Sequence, residues 1–296
     1  MAMKDKLSKR IIIHTILIIA SILAIYPILR VVTISLRPGD RAFTASLAII
    51  PKDASFDSFK NILFLRGLDP KYASADLITK FFHASFWIWL KNSTIVSFFT
   101  VIFGVSFAST AGYAFSRFNF PGKKSGLTFF LITQMFPATM LLLPMYLVMS
   151  KLHLTNTYFG LILMYTTTAL PLCVWQMKGY YDTIPYTLEE AAMIDGASQF
   201  KAFYKIILPL VKPGVVVTAL FSFMASWTDF VVANVFMQKE SLKTLPLGLQ
   251  TMAGQFQTEW GNFAAASILV MVPAMALFMY LSKYLISGLT LGGVKE

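Results

Sequence analysis

Charge is scarce in this sequence. Asp, Glu, Lys and Arg together make up 13% of the 296 residues, about half the ~25% usual in a soluble domain. A globule in water needs polar side chains across its whole outer surface, and this chain has too few of them. Lipid is the solvent that removes the need, and a hydrophobic share of 56% with 27 Phe agrees with it. Cysteine is scarcer still. Cys173 stands alone, which excludes an internal disulfide and a multi-cysteine metal centre and leaves the redox compartment unreadable. The three histidines, His14, His83 and His153, are scattered, and His14 reads as an interfacial or packing residue rather than a ligand. There is no H-E-x-x-H, no G-x-S-x-G and no nucleophile with a visible base. A membrane-embedded enzyme is therefore disfavoured, and neither catalytic residues nor metal ligands are expected. Also missing is G-x-x-x-x-G-K-[ST], so the chain has no P-loop with which to hold ATP.

What is present is a series of apolar runs, at 11–29, 92–116, 125–150, 152–177, 213–238 and 260–282. A bilayer core about 30 Å thick needs roughly 20 apolar residues in a helix. Unpaired amides in hydrocarbon would cost several kcal/mol each, so all six runs are expected to be helical. Asp229 interrupts the fifth, and Pro137, Pro144, Pro171 and Pro273 predict kinks inside others. Lys4, Lys6, Lys9 and Arg10 precede the first run as in a secretory signal, but the run is long for a signal core and lacks a small-x-small site, so it reads as an uncleaved span. The net charge of +11 comes from basic residues lying between apolar runs, where they anchor loops to anionic headgroups. No basic stripe interleaves with exposed aromatics, so nucleic acid is not expected as a partner. Outside the long first loop the basic residues concentrate on the side of the N-terminus, which favours two cytoplasmic termini. The predicted organisation is a cytoplasmic tail, first transmembrane helix and external loop over 1–89, a transmembrane domain with spans two to six over 90–281, and a cytoplasmic tail over 282–296.

A polar loop at 178–212 separates the fourth and fifth runs, and its chemistry describes two short helices joined at a glycine. Thr187 is placed to cap the first, with Glu190 completing a capping box. Ala191 and Ala192 favour helix and keep one surface thin. Gly196 can take positive φ to end that helix, and Ser198 can cap the next. Such a hairpin resting on a membrane surface would need caps and an apolar side, but no particular spacing. Here the spacing is specific: Glu190-Ala191-Ala192, three residues, Gly196, nine residues, Ile206, one residue, Leu208-Pro209. It resembles the EAA motif of binding-protein-dependent ABC importer permeases and meets every fixed position of that pattern.

The resemblance implies an all-α integral membrane protein with six transmembrane helices and the type I importer fold. It implies that this loop is the coupling helix, which docks in a cleft of a separate nucleotide-binding subunit through Glu190, Ala191, Ala192, Asp195 and Gly196. The implied partners are a second homologous permease subunit, two cytoplasmic nucleotide-binding subunits and an extracytoplasmic sugar-binding protein. ATP and magnesium would sit on the partner subunits, with no cofactor on this chain, and the location would be the bacterial inner membrane. Segments 112–123, 154–161 and 179–196 are similar to the carbohydrate-uptake branch of the family. The phrase Gln134-Met-Phe-Pro137 and the ending 288–296 are similar to the smaller permease subunit of maltose and maltodextrin importers. In that branch the C-terminus reaches between the nucleotide-binding subunits, which implies the same for Gly292, Gly293, Val294 and Lys295; the alternative is a frayed tail. The loop before the sixth run, with Met252, Ala253, Gly254 and Gln255 at its tip, corresponds to a scoop that enters the opened binding protein, or else is an ordinary connection.

Polar groups at membrane depth usually face a pathway or a helix partner. Gln134, Thr167, Trp227 and Asp229 are the candidate pathway-lining residues, since a sugar needs hydrogen-bonding edges and aromatic faces. Ser and Thr in such helices more often bond a neighbouring carbonyl. An ion-coupled secondary transporter is the rival from another class. It should show intramembrane carboxylates or broken helices in two related halves, and only Asp229 fits. A permease of the same family for a different sugar or a polyol stays open.

Overall fold

The computed structural model describes residues 7–39, 48–254 and 258–291. Among these every regular element is helical, apart from one isolated bridge pairing Ala253 with Thr258. In chain order the α-helices are α1 (Leu7–Ser35), α2 (Asp57–Lys60), α3 (Leu77–His83), α4 (Ser85–Arg117), α5 (Lys123–Met135), α6 (Ala138–Lys151) and α7 (Tyr158–Asp182). They continue with α8 (Thr187–Ile194), α9 (Gln199–Ala202), α10 (Leu208–Leu210), α11 (Lys212–Trp227), α12 (Val231–Phe236), α13 (Leu245–Gln250) and α14 (Trp260–Leu291). Each of α1, α4, α7 and α14 is long and apolar enough to cross a bilayer, and the count rises to six if each of two bent helix pairs is one span.

Two of the expected straight or kinked spans, 125–150 and 213–238, are instead broken into two helices each. The run 125–150 breaks into α5 and α6 at an angle of 104°. Phe136, which precedes Pro137, is extended at φ −77°, ψ 129°, as the proline ring dictates for its predecessor, and α6 then starts afresh. Pro144, Pro171 and Pro273 stay within α6, α7 and α14. The second pair bends by 79° between the 199–210 segment and α11. The run 213–238 ends its first helix at Trp227, and Asp229 opens α12 by accepting the amides of Val232 (2.9 Å) and Ala233 (3.4 Å). Asp229 is thus an end-cap, and it also accepts the Tyr165 hydroxyl at 3.0 Å.

The chain divides into two compact units. One comprises the residues up to Trp87 together with Leu249–Met271. Within it α1 exposes apolar side chains along its length from Ile11 to Tyr26, the pattern of a helix solvated by acyl chains. Thr33 Oγ1 donates to the carbonyl of Ile49 at 2.7 Å, tying the end of α1 to the loop that follows. Asp76 caps α3, accepting from the amides of Ile78 and Thr79 and from the Thr79 hydroxyl at 2.6 Å. That hydroxyl holds the Asp76 carboxyl below the usual carboxylate range, so the cap stays charged at neutral pH. The Trp87 indole donates to the Leu63 carbonyl at 3.1 Å and packs against Phe81.

The other unit comprises Ile88–Gly248 and the chain from Val272 onward. Its spine is α4 beside α7, and the two run parallel. Tyr158 donates to Asn92 at their N-terminal ends (2.6 Å), and Ser116 donates to Asp182 at their C-terminal ends (2.6 Å). From Asn92 to Ser116 the helix rises about 36 Å at 1.5 Å per residue, slightly more than a hydrocarbon core. Two apolar clusters fill the space, one around Val96, Tyr165 and Phe236, the other around Tyr113, Met177, Tyr181 and Phe203. The two helices approach closely at Gly112, where a Cβ would lie 2.8 Å from Met177 Cβ and 3.0 Å from the Lys178 amide nitrogen. Overpacking of this kind costs about 1–3 kcal/mol. Gly112→Leu is accordingly expected to lower the apparent unfolding temperature of the purified protein in detergent; an unchanged temperature would contradict the packing described here.

Candidate functional site

The segment between α7 and α11 folds as two short helices joined at Gly196, as its composition predicts. Gly196 sits at φ +81°. The amide of Gly196 donates to the Met193 carbonyl (3.1 Å) and that of Ala197 to the Ala192 carbonyl (3.0 Å), a Schellman closure that satisfies the last carbonyls of α8. Ser198 caps α9, accepting the Lys201 amide at 3.3 Å. The capping box does not form. The N-cap position of α8 is Tyr186, without a side-chain cap, and Thr187 lies in the first turn. The chain reaches α8 through a turn held from outside, because Arg117 donates to the Ile184 carbonyl at 2.8 Å. The helix therefore starts one residue early.

The faces of α8 are unequal. Glu190, Ala191, Asp195 and Gly196 are exposed and share the outer surface with Ile194, which is 86% exposed. Phe200 and Tyr204 continue that surface beyond the turn, at 76% and 62% exposure, their rings stacked at 7° and 6.4 Å. Ala192 turns inward beside Glu189. Of the five expected coupling residues, four thus line one exposed face and Ala192 packs under it. Composition alone does not point to Ile194, Phe200, Tyr204 or Glu189. A doublet of glutamates on a helix puts one in and one out, but Met193 and Ile194 leave the apolar side ambiguous.

A second loop joins α13 to α14. Its ends are held together by the Ala253–Thr258 bridge and by the Glu259 amide donating to the Met252 carbonyl at 3.0 Å. A single guanidinium reaches both ends: Arg66 pairs with Glu259 through one nitrogen and donates to the Thr251 carbonyl at 3.5 Å through the other. Met252 is buried, while Ala253 and Gly254 are exposed at the tip. Gln255 lies outside the described residues, as do Gly292, Gly293, Val294 and Lys295 of the tail.

The four candidate pathway residues do not converge. Gln134 and Thr167 line a cavity of about 330 Å³ between α5, α6 and α7, with Phe129, Phe130, Phe136 and Thr168. Thr133, Thr167 and Thr168 donate to carbonyls of their own helices, and Gln134 Nε2 donates to the Thr168 carbonyl at 3.2 Å. The threonine hydroxyls of this wall and one N–H of Gln134 are spent on the fold. Trp227 is buried with its ring stacked on Phe223, and Asp229 caps α12.

The sequence profile of the family described as binding-protein-dependent transport system inner membrane component matches residues 80–290. The chain belongs to this family. Across 298 residues the permease is 36% identical to the maltose/maltodextrin transport system permease protein MalG of Escherichia coli strain K12, covering 99% of this chain and 98% of that one. It is 34% identical to the maltodextrin permease MalD of Streptococcus pneumoniae, over 93% of this chain and 91% of that one. It is also 34% identical to the galactooligosaccharides permease GanQ of Bacillus subtilis, over 95% and 94%. Among solved structures, a chain of a bacterial ABC transporter that imports the acidic polysaccharide alginate superposes with a TM-score of 0.77 at 21% identity, over 96% of the permease and 99% of that chain. The permease is therefore an inner membrane component with the type I ABC importer fold, and its family depends on a binding protein.

Proposed function

We propose that the permease forms half of the translocation path for maltose, maltodextrins or a related oligosaccharide. The observation that carries this reading is identity of 34–36% over more than nine-tenths of the chain with permeases for maltodextrin, maltose and galactooligosaccharides. A second, homologous permease supplies the other half, and ATP with magnesium is bound and hydrolysed by two cytoplasmic subunits that dock on the exposed face of α8. That face suits the task, since Glu190 and Asp195 offer charge, Ala191 and Gly196 allow close approach, and Ile194 and Phe200 offer apolar area. Closure of the ATPase pair draws the loop with it and tilts the bundle, so the central path alternates between its two sides. Both termini then lie in the cytoplasm, with the tail at 292–295 reaching towards the ATPase subunits. On the opposite side the tip at Ala253 and Gly254, held by Arg66, meets the sugar-binding protein.

The threonine hydroxyls around Gln134, already in use, leave this wall less to offer a sugar, which fits a division of labour in which the partner permease holds most of the substrate. Uptake of radiolabelled maltose, maltotriose and galactooligosaccharides in a strain lacking this gene tests the reading. Loss of maltotriose uptake, restored by the gene in trans, is expected. Unchanged uptake of all three, with another solute lost, would overturn it.

A further inference from the structure

Two neighbouring glutamates on α8 do different things, and the inner one sits in a network that the docking surface does not need. Glu189 is 6% exposed. One carboxylate oxygen pairs with Arg117 Nε, and the other accepts the Tyr113 hydroxyl at 2.7 Å. Arg117, whose side chain is 2% exposed, spends a second nitrogen on the Ile184 carbonyl (2.8 Å), and its guanidinium lies 4.3 Å from the centre of the Tyr186 ring. The Tyr186 hydroxyl in turn donates to the Ser116 carbonyl at 3.0 Å, and the Ser116 hydroxyl donates to Asp182 at 2.6 Å. The end of α4, the end of α7 and the start of α8 are thus joined by an ion pair and by hydrogen bonds. Every link is short and fixed in direction. By contrast, the covalent path from the loop into α11 passes through five residues of π-helix, Phe203–Ile207, and then a 79° bend, a softer connection.

We propose that the buried pair of Glu189 and Arg117 is the link that transmits movement of the coupling loop to α4 and α7, so that these helix ends and α8 travel as one rigid piece. This rests on the coupling role of the loop proposed above. Glu189 acts here as a positioning residue: it touches neither sugar nor nucleotide, and its two oxygens fix α8 to the helix pair that spans the bilayer. A buried ion pair is poor as a source of stability, since well-packed apolar residues often do as well, but it has strong directionality. The observed geometry uses that directionality, because the fork of Arg117 addresses α8 and the turn before it at once.

The test uses the whole transporter, with its binding protein, in proteoliposomes, with radiolabelled maltotriose as probe. Glu189→Gln keeps the shape and the bond to Tyr113 but removes the charge. It is expected to keep the ATPase subunits attached and hydrolysing while sugar moved per ATP falls at least ~10-fold, within the range that loss of a coupling free energy between two sites produces. Arg117→Lys keeps the charge without the fork and should fall between. The double variant Arg117→Met with Glu189→Leu leaves no unpaired buried charge, so it folds, binds the ATPase and stays uncoupled. A wild-type ratio of sugar to ATP in Glu189→Gln or in the double variant would overturn the proposal. So would detachment of the ATPase from both, which would make the pair part of the docking surface. The Gly196→Trp variant separates the two readings. If it retains the ATPase, the coupling role of the loop fails; if it loses the ATPase while Glu189→Gln transports normally, only the link fails.

Discussion

Gly196→Trp is expected to insert and fold like the parent and to lose its ATPase. Two separable effects meet at this position. The backbone stands at φ +81°, where an L side chain costs about 1–3 kcal/mol. A Cβ added here would meet no atom of the chain's own within 4 Å, so an indole does not clash internally; it projects from the exposed face that carries Glu190 and Asp195. An obstacle there holds a docking partner away and forfeits close packing over the whole contact. ATPase recovered with the tagged permease should drop at least ~10-fold, since loss of even ~1.4 kcal/mol of binding has that effect. Gly196→Asn separates strain from bulk, because asparagine tolerates the left-handed region, and it should retain most of the ATPase. Gly196→Ala, which adds strain with little bulk, should lie between. Normal recovery with the tryptophan variant would remove the loop from the coupling role.

The loop is legible in the sequence because its determinants are local. Gly196 is required by a turn that closes within five residues, and Ser198 caps the helix that it begins. The same locality explains the six crossings, each announced by a run of apolar residues longer than a soluble core helix needs. The capping box fails because its competitor is not local. Thr187 and Glu190 have the right spacing, but a guanidinium from about 70 positions earlier in the chain (Arg117 on the Ile184 carbonyl) sets where α8 starts.

Proline shows the same limit. Pro137, Pro144, Pro171 and Pro273 fall inside apolar runs, and each of them predicts a kink. Three remain within helices, and Pro137 ends one at 104°. Each proline removes one amide and pushes its predecessor towards an extended backbone. Whether the helix survives depends on what re-pairs the freed carbonyl, and that is decided by neighbours distant in sequence. Side-chain partners are harder still to read. Arg66 and Glu259 are 193 positions apart, and nothing in either segment's composition marks them as a pair. The pathway candidates share only polarity within an apolar run, which does not distinguish a group facing a path from one spent on the fold. Gln134, Thr167 and Asp229 all have partners within the fold.

The largest loss of stability is expected at Asn92, a residue that the apolar pattern marks only as the edge of a span. It is fully buried, and all of its amide is in use. Its Nδ2 donates to the carbonyls of Ser241 (2.9 Å) and Lys243 (2.8 Å), and its Oδ1 accepts the Tyr158 hydroxyl at 2.6 Å. Next to it Ser93 accepts the Leu245 amide at 2.8 Å. One turn of α4 therefore supplies hydrogen-bonding partners to the segment 238–245, whose own regular structure before α13 is a single 3-10 turn, Glu240–Leu242. Asn156 does likewise for the start of that segment, accepting the amides of Gln238 and Lys239. Asn92→Leu keeps the volume and strands two carbonyls and a hydroxyl out of water, each costing about 1–3 kcal/mol when left unpaired. Partial relaxation reduces the sum to roughly 3 kcal/mol, a fall of about 6–12 °C in the apparent unfolding midpoint for a chain of this size. Asn92→Asp keeps the acceptor for Tyr158 but turns the amide's donor end into an oxygen facing two carbonyls, so it should do no better. Scanning fluorimetry of the detergent-purified variants measures the shift, and a midpoint within about 2 °C of the parent for both would mean that water or a rearranged segment supplies those partners instead. Because α4 carries Asn92 at one end and Arg117 at the other, the same helix organises the segment far from α8 and receives α8 itself. A loss at Asn92 should therefore reduce the amount of folded permease without changing the sugar moved per ATP by what remains, the opposite of the result expected at Glu189.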